Sequence, residues 1–152
     1  ISTGMVKSQA FHQPDTLTNN ACLPLRPLRL NSGYGWRIHP VTGKFQYHKG
    51  IDLAARYDTV FSILNGTVNK IGYNRLIGNY ILIDHTGEAQ SLYGHLSVIA
   101  VLPGEQVAAG QPIGVSGSSG RVTGPHLHFS IKYRGREIPP LAFLGGLFFR
   151  PP

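Results

Sequence analysis

Apolar and polar residues take turns most clearly in His126–Tyr133. Leu127, Phe129 and Ile131 fall on one face of an extended segment, and His126, His128 and Ser130 fall on the other. The β-branched and aromatic content predicts a strand with an apolar face on a core. The same reading predicts strands over Thr59–Leu64, Thr67–Gly72, Asn79–His85, Gln90–Gly94 and Pro112–Ser116. Turn signals separate them: Asn65-Gly66, His85-Thr86-Gly87, Pro103-Gly104-Glu105 and Gly117-Ser118-Ser119-Gly120. From Asn31 onward such signals recur about every 8–12 residues, the spacing of an all-β sandwich or barrel. Helical periodicity is scarce, and only Pro139–Phe143 suggests about one helical turn.

Residues 1–30 are patterned differently. Ile1–Ala21 is polar, and Leu23-Pro24-Leu25-Arg26-Pro27-Leu28 is spaced by prolines that favour an extended chain. The expected organisation is an N-terminal arm, 1–30, laid over one domain, 31–152. The longest apolar run, Ala142–Phe149, is far shorter than the ~20 residues of a membrane-spanning helix. No apolar run precedes Cys22, so Asn19-Asn20-Ala21-Cys22 does not read as a lipid-attachment site, and no secretory leader is legible.

Composition sharpens this picture. The chain has 152 residues with 19 glycines and 11 prolines, and only 14% of its residues are charged, against roughly 25% in an average domain. Many turns and few charged faces suit short strands. The net charge of +7 favours an anionic partner: nucleic acid, a membrane surface or an acidic wall polymer. A nucleic-acid binder lacks support beyond charge, because no recognition helix, zinc-finger cysteines or RNP-like run is present. The single Cys22 excludes an intrachain disulfide and any cysteine-based zinc motif.

Seven histidines beside seven carboxylate residues are the strongest chemical signal. His126 and His128 share a strand face with Cα atoms roughly 6.5–7 Å apart, close enough to serve one metal or one metal and one reacting group. His48 and Asp52 would be about 13 Å apart on a straight strand. A helical turn, or a turn or bulge at Gly50, would bring them together. Imidazole and carboxylate are sound zinc ligands. His95 ends a predicted strand after Gly94, a place that suits either a residue aimed over a site or a core histidine. His39 reads as structural or groove-edge, and His85 as a turn residue.

Taken together, His48-Lys49-Gly50-Ile51-Asp52, Tyr93-Gly94-His95-Leu96 and His126-Leu127-His128-Phe129 resemble the lysostaphin-type zinc endopeptidases of peptidase family M23, the LytM domain. Ser32–Pro40, Val107–Gly114 and Gly117-Ser118-Ser119-Gly120 are similar to the family's flanking segments, so the resemblance runs from Asn31 to Leu144. It implies a compact, mostly antiparallel β fold and a zinc metalloendopeptidase that cuts peptide cross-links of bacterial peptidoglycan. It implies one Zn²⁺ held by His48, Asp52 and His128, with His95 and His126 as the catalytic pair, their division of labour left open. Three protein ligands leave a fourth position for water, whose pKa zinc lowers from ~15.7 toward ~7. Tyr73, Asn79, Tyr80, Ser119 and Ser130 are assigned as substrate-binding positions. Ser130 stands where the family often has Glu. Long N-terminal segments block the groove in some relatives, so His12, Asn19 or Asn20 would approach the metal by the same device. The resemblance further implies a monomer acting outside the cytoplasmic membrane on peptidoglycan stems or bridges. Two rivals remain: a catalytically silent module of the same fold, and a biotinyl- or lipoyl-type carrier domain. The carrier needs a modifiable Lys between its hairpin repeats, and residues 73–106 contain none.

Overall fold

A computed structural model describes residues 21–148. His12, Asn19, Asn20 and most of the polar arm lie outside the described residues. The rest is an antiparallel β structure, as the alternation predicts. Twelve strands follow in order: β1 (Leu30–Ser32), β2 (Gly35–Ile38), β3 (Phe45–His48), β4 (Ile51–Ala54), β5 (Thr59–Phe61), β6 (Gly66–Asn74), β7 (Gly78–His85), β8 (Ala89–Ile99), β9 (Gln106–Val107), β10 (Pro112–Ser116), β11 (His126–Tyr133) and β12 (Arg136–Ile138). A helix, α1 (Pro140–Phe148), closes the described chain. The main sheet runs β1-β4-β11-β8-β7-β6-β9, with β10 joining β5 to β8 and β12 lying on β11. β2 and β3 form a separate hairpin.

β8 organises the sheet. β7 pairs along one edge from Gln90 to Leu96. On the other edge β11 pairs with Ala89–Gly94 and β10 takes over from Leu96 to Ile99. The inward residues of these strands make the core: Ile81 and Ile83 from β7, Tyr93 from β8, and Leu127, Phe129 and Ile131 from β11, all fully buried. Each contributes roughly 1.5–3 kcal/mol by burial. The apolar face of β11 is thus the predicted one, and its histidine face is left for the site.

Residues 22–29 cross this core. Leu25 is only 2% exposed, the Cys22 N–H donates to Ile63 O (2.8 Å), and the Phe61 N–H donates to Pro24 O (3.0 Å). The prolines keep this stretch extended, so its leucines reach the core without forming a strand.

Several expectations need correction. The helix is Pro140–Phe148, nine residues rather than one turn. Pro140 suits the first helical position, and packing of Phe143, Leu144 and Leu147 on the core offsets the cost of Gly145 and Gly146. Strand β8 does not end at Gly94 but continues to Ile99 through a bulge. β5 stops at Phe61, before the predicted Leu64. β1–β4, three or four residues each, coincide with none of the predicted strands. His85 is not a solvated turn residue. It is buried, its Nδ1–H donates to Asn65 O (2.9 Å), and its Nε2 lies 2.7 Å from Ser91 Oγ. Ser91 Oγ in turn is 3.0 Å from the Tyr93 hydroxyl, which accepts the Ile63 N–H at 3.1 Å. Tyr93 is therefore a core residue with its polar tip satisfied.

Candidate active site

The site is assembled where three short elements meet the histidine face of β11. β3 ends at His48, the chain bends at Lys49-Gly50, and β4 begins at Ile51. The bend makes the close approach of His48 to Asp52 that a straight strand forbids. β4 pairs with β11 so that Asp52 stands opposite His128, and β8 pairs with β11 so that Gly94 stands opposite His128 on the other side.

His95 arrives by a different device. Between the positions facing Asn79 and Ile81 of β7, β8 runs from Leu96 to Tyr93, one residue more than its partner. His95 sits in this bulge with φ of 58°, and its N–H donates to Ile77 O. Regular alternation would place His95 beside core-facing Tyr93. The bulge turns it out toward the histidines of β11. Its ring centroid lies 4.6 Å from that of His126 and 6.0 Å from that of His128.

Three donor atoms form a near-equilateral triangle. His48 Nε2 is 3.3 Å from Asp52 Oδ1 and 3.3 Å from His128 Nδ1, and His128 Nδ1 is 3.2 Å from Asp52 Oδ1. A tetrahedral zinc with ligands at about 2.0–2.1 Å requires donors about 3.3–3.4 Å apart. Two imidazoles and a carboxylate at this spacing fit the ion. His126 Nε2 is 3.5 Å from Asp52 Oδ1. Among the described residues, only His48, Asp52 and His128 have donor atoms that all lie within 4.8 Å of one another.

Tautomers and charge states suit the same role. The His48 Nδ1–H donates to Gly33 O (2.8 Å), which leaves Nε2 as the lone-pair nitrogen. Burial alone would push the Asp52 carboxyl up, but hydrogen bonds and charges from His128 and His48 outweigh it and hold it well below the ordinary range. Burial pushes His128 down, partly opposed by Asp52. A charged carboxylate beside neutral imidazole is the metal-competent state. Burial pushes His95 down to about 4, and its Nδ1–H donates to Ser119 O (2.7 Å). The His126 Nδ1–H donates to Gly124 O (3.0 Å). Both rings therefore keep Nε2 as their free nitrogen.

The five polar residues singled out in the sequence line one cavity of about 300 Å³. Of the five assigned to substrate, Ser119 supports the site through its carbonyl, which accepts the His95 Nδ1–H, while the side chains of Tyr73, Asn79, Tyr80, Ser119 and Ser130 are not in the cavity lining. Asn79 Nδ2 donates to Leu96 O, and the Ser119 hydroxyl bonds Leu96 O and the Asn79 N–H, so these side chains brace the bulge. Tyr73 is exposed on β6, and Tyr80 is half-buried on β7. Ser130 lies one alternation beyond His128 on β11.

Sequence reasoning missed Arg37. It lies on the inward face of β2, with a terminal nitrogen 3.5 Å from Asp52 Oδ2 and a buried Nε that lacks a partner. Its signal was the alternation Trp36-Arg37-Ile38, which places one charge between two apolar residues. The outward face stacks Trp36 on Phe45, with centroids 5.3 Å apart, and sets Tyr47 edge-on to Trp36. These cross-strand pairs hold the hairpin that carries both Arg37 and His48.

Comparison with known proteins agrees with this geometry. The family model described as "Peptidase family M23" matches residues 46–140. The chain is 41% identical over 119 residues to the peptidoglycan DD-endopeptidase ShyC of Vibrio cholerae, which covers 77% of this chain and 28% of that protein. The chain thus spans little more than a quarter of that relative. Among solved structures, a zinc-containing peptidase from Vibrio cholerae superimposes with a TM-score of 0.70 at 37% identity, covering 76% of this chain and 36% of the other. The catalytic domain of lysostaphin from Staphylococcus simulans gives a TM-score of 0.70 at 32% identity, covering 78% of this chain and 93% of that domain. With a family model over most of its length and a whole catalytic domain matched in fold and sequence, this chain belongs to peptidase family M23.

Proposed function

We propose that the chain is the catalytic unit of a zinc metalloendopeptidase that hydrolyses peptide cross-links of peptidoglycan. The DD type of bond is inferred from the likeness to ShyC. The observation that carries the reading is the donor triangle of His48, Asp52 and His128, with sides of 3.2–3.3 Å, in the wall of a cavity that also holds His95 and His126. A zinc ion bound there supplies Lewis-acid polarisation of the scissile carbonyl and a nucleophile near neutral pH. His95, held neutral by burial and oriented by Ser119 O, accepts a proton at Nε2. His126, oriented by Gly124 O, offers its free Nε2 to the same space, where a proton taken up during the reaction can be passed to the leaving amine. Asp52 keeps its charge and fixes the rings of His48 and His128. The reading takes the enzyme as a monomer. The substrate places its work outside the cytoplasmic membrane. Among the described residues, no helix is long and apolar enough to cross a membrane.

Digestion of purified sacculi, read by product masses, tests this. The zinc-loaded protein is expected to release peptides with newly freed amine and carboxyl ends, and His128→Ala to lose that release by a hundredfold or more with reduced zinc content. Equal release by both proteins overturns the reading. Zinc binding without any hydrolysis favours a silent module of the same fold.

A further inference from the structure

The cavity lining includes two arginines, Arg37 and Arg121, together with His39. Arg37 reaches in from β2 and touches Asp52 only through one long contact of 3.5 Å, while its Nε is sealed from water without a partner. His39 accepts the backbone N–H groups of Val41 (3.1 Å) and Thr42 (3.2 Å) at Nδ1. Its proton therefore sits on Nε2, which makes this cavity-lining ring a donor there. Arg121, on the loop before β11, lines the cavity as well, and its side chain is exposed. Both arginines lie near enough to act on the His39 ring: after burial, their charges are what push the imidazole down and keep it neutral. Among the described residues, Asp52 is the only carboxylate lining the cavity, and His48 and His128 already engage it. Two guanidinium groups and a fixed N–H, with no free anion among them, are built to receive one. A planar carboxylate matches the fork of an arginine better than any other group a peptide carries.

We propose that Arg37, Arg121 and His39 form a carboxylate-binding subsite beside the metal centre, which takes a free carboxylate of the substrate peptide. The proposal rests on the peptidase reading and deepens it by naming the substrate class: acidic stem peptides rather than neutral glycine bridges. The carboxylate has two sources, one on the residue adjacent to the scissile amide and one at the free C-terminus of a stem.

Selective amidation separates them. Three cross-linked stem dimers are compared with the zinc-loaded protein: both carboxylates free, the one beside the scissile amide amidated, or the terminal one amidated. kcat/KM is measured for wild type, Arg121→Gln, Arg37→Gln and Arg37→Lys, with zinc content checked in each. Dissociation constants are measured by calorimetry with the corresponding uncross-linked stems. A charge-assisted hydrogen bond predicts a loss of about tenfold to a hundredfold on amidating the recognised carboxylate. The arm that shows the loss identifies the source. Arg121→Gln is expected to lose as much on the free acid and to show no further loss on amidation. If Arg37→Gln also loses zinc, Arg121, which touches no ligand, carries the test. Wild-type indifference to both amidations, or variants that discriminate as wild type does, overturns the subsite. If no dimer is cleaved, the peptidase reading fails, and the binding constants for free and amidated stems still decide the subsite.

Discussion

A methyl group on Gly50 would land 2.5 Å from Phe129 O and 2.8 Å from the His128 ring carbon Cε1. Neither can retreat easily, because one is strand backbone and the other a ring clamped between β4 and β8. Gly50→Ala is therefore expected to displace His128 and lower zinc affinity at least tenfold. Zinc titration with a competing chelator checks this, with circular dichroism to confirm an intact β fold. His85 gives a different prediction. Burial lowers its pKa, as it lowers that of His95 to about 4. Both folded values lie below the ordinary ~6.5, so the unfolded chain takes up protons first. Stability from these groups is fully present above about pH 6.5 and is lost as the pH falls toward 4. The melting temperature of the metal-free protein should decline over that window, and His85→Gln should flatten the decline. A melting temperature independent of pH between 7 and 4.5 would contradict the buried neutral state of both rings.

The bulge in β8 shows how a strand can serve core and site at once. Tyr93 points into the core, and one extra residue turns His95 to the opposite face with φ of 58°. Left-handed backbone costs most residues about 1–2 kcal/mol, while Asn tolerates it better. His95→Asn should therefore keep the melting temperature within a few degrees of wild type while kcat/KM falls about a hundredfold or more. A large loss of stability with activity retained would refute the role given to the bulge. The bulge itself is not legible in Tyr93-Gly94-His95-Leu96, which left His95 open between a residue aimed over a site and a core histidine. β11 is the contrary case. Its alternating pattern specifies both faces, and both are found as read, because a one-residue slip would bury His126 and His128 and expose Phe129.

The molecule as a whole couples an apolar core to a candidate metal site. Zinc binding to the native state alone should raise the melting temperature with concentration by mass action, and chelation should reverse both that rise and the activity. Leu25 belongs to the core, so Leu25→Ala should cost roughly 2–5 kcal/mol while zinc stoichiometry stays unchanged, since Leu25 lines no part of the active-site cavity. Thermal unfolding with parallel metal analysis checks both. The β class and the core face of β11 were readable along the chain, because alternation is a local property, whereas the roles proposed for the histidines and Asp52 came from the family resemblance. The hairpin of β2 and β3, the role of Arg37 and the burial of His85 were not readable, because each depends on partners brought in from distant segments. Tyr73, Asn79, Tyr80, Ser119 and Ser130 illustrate the limit: their residue types suit a groove, yet none reaches the cavity lining. The linear order of residues thus specified which imidazoles and carboxylate were present and which strand face two of them share. Only the pairing of β4, β8 and β11, with the bend at Gly50 and the bulge at His95, brought residues 48 to 128 into one cavity, since those separations are closed by backbone hydrogen bonds between strands that carry no mark of their partners.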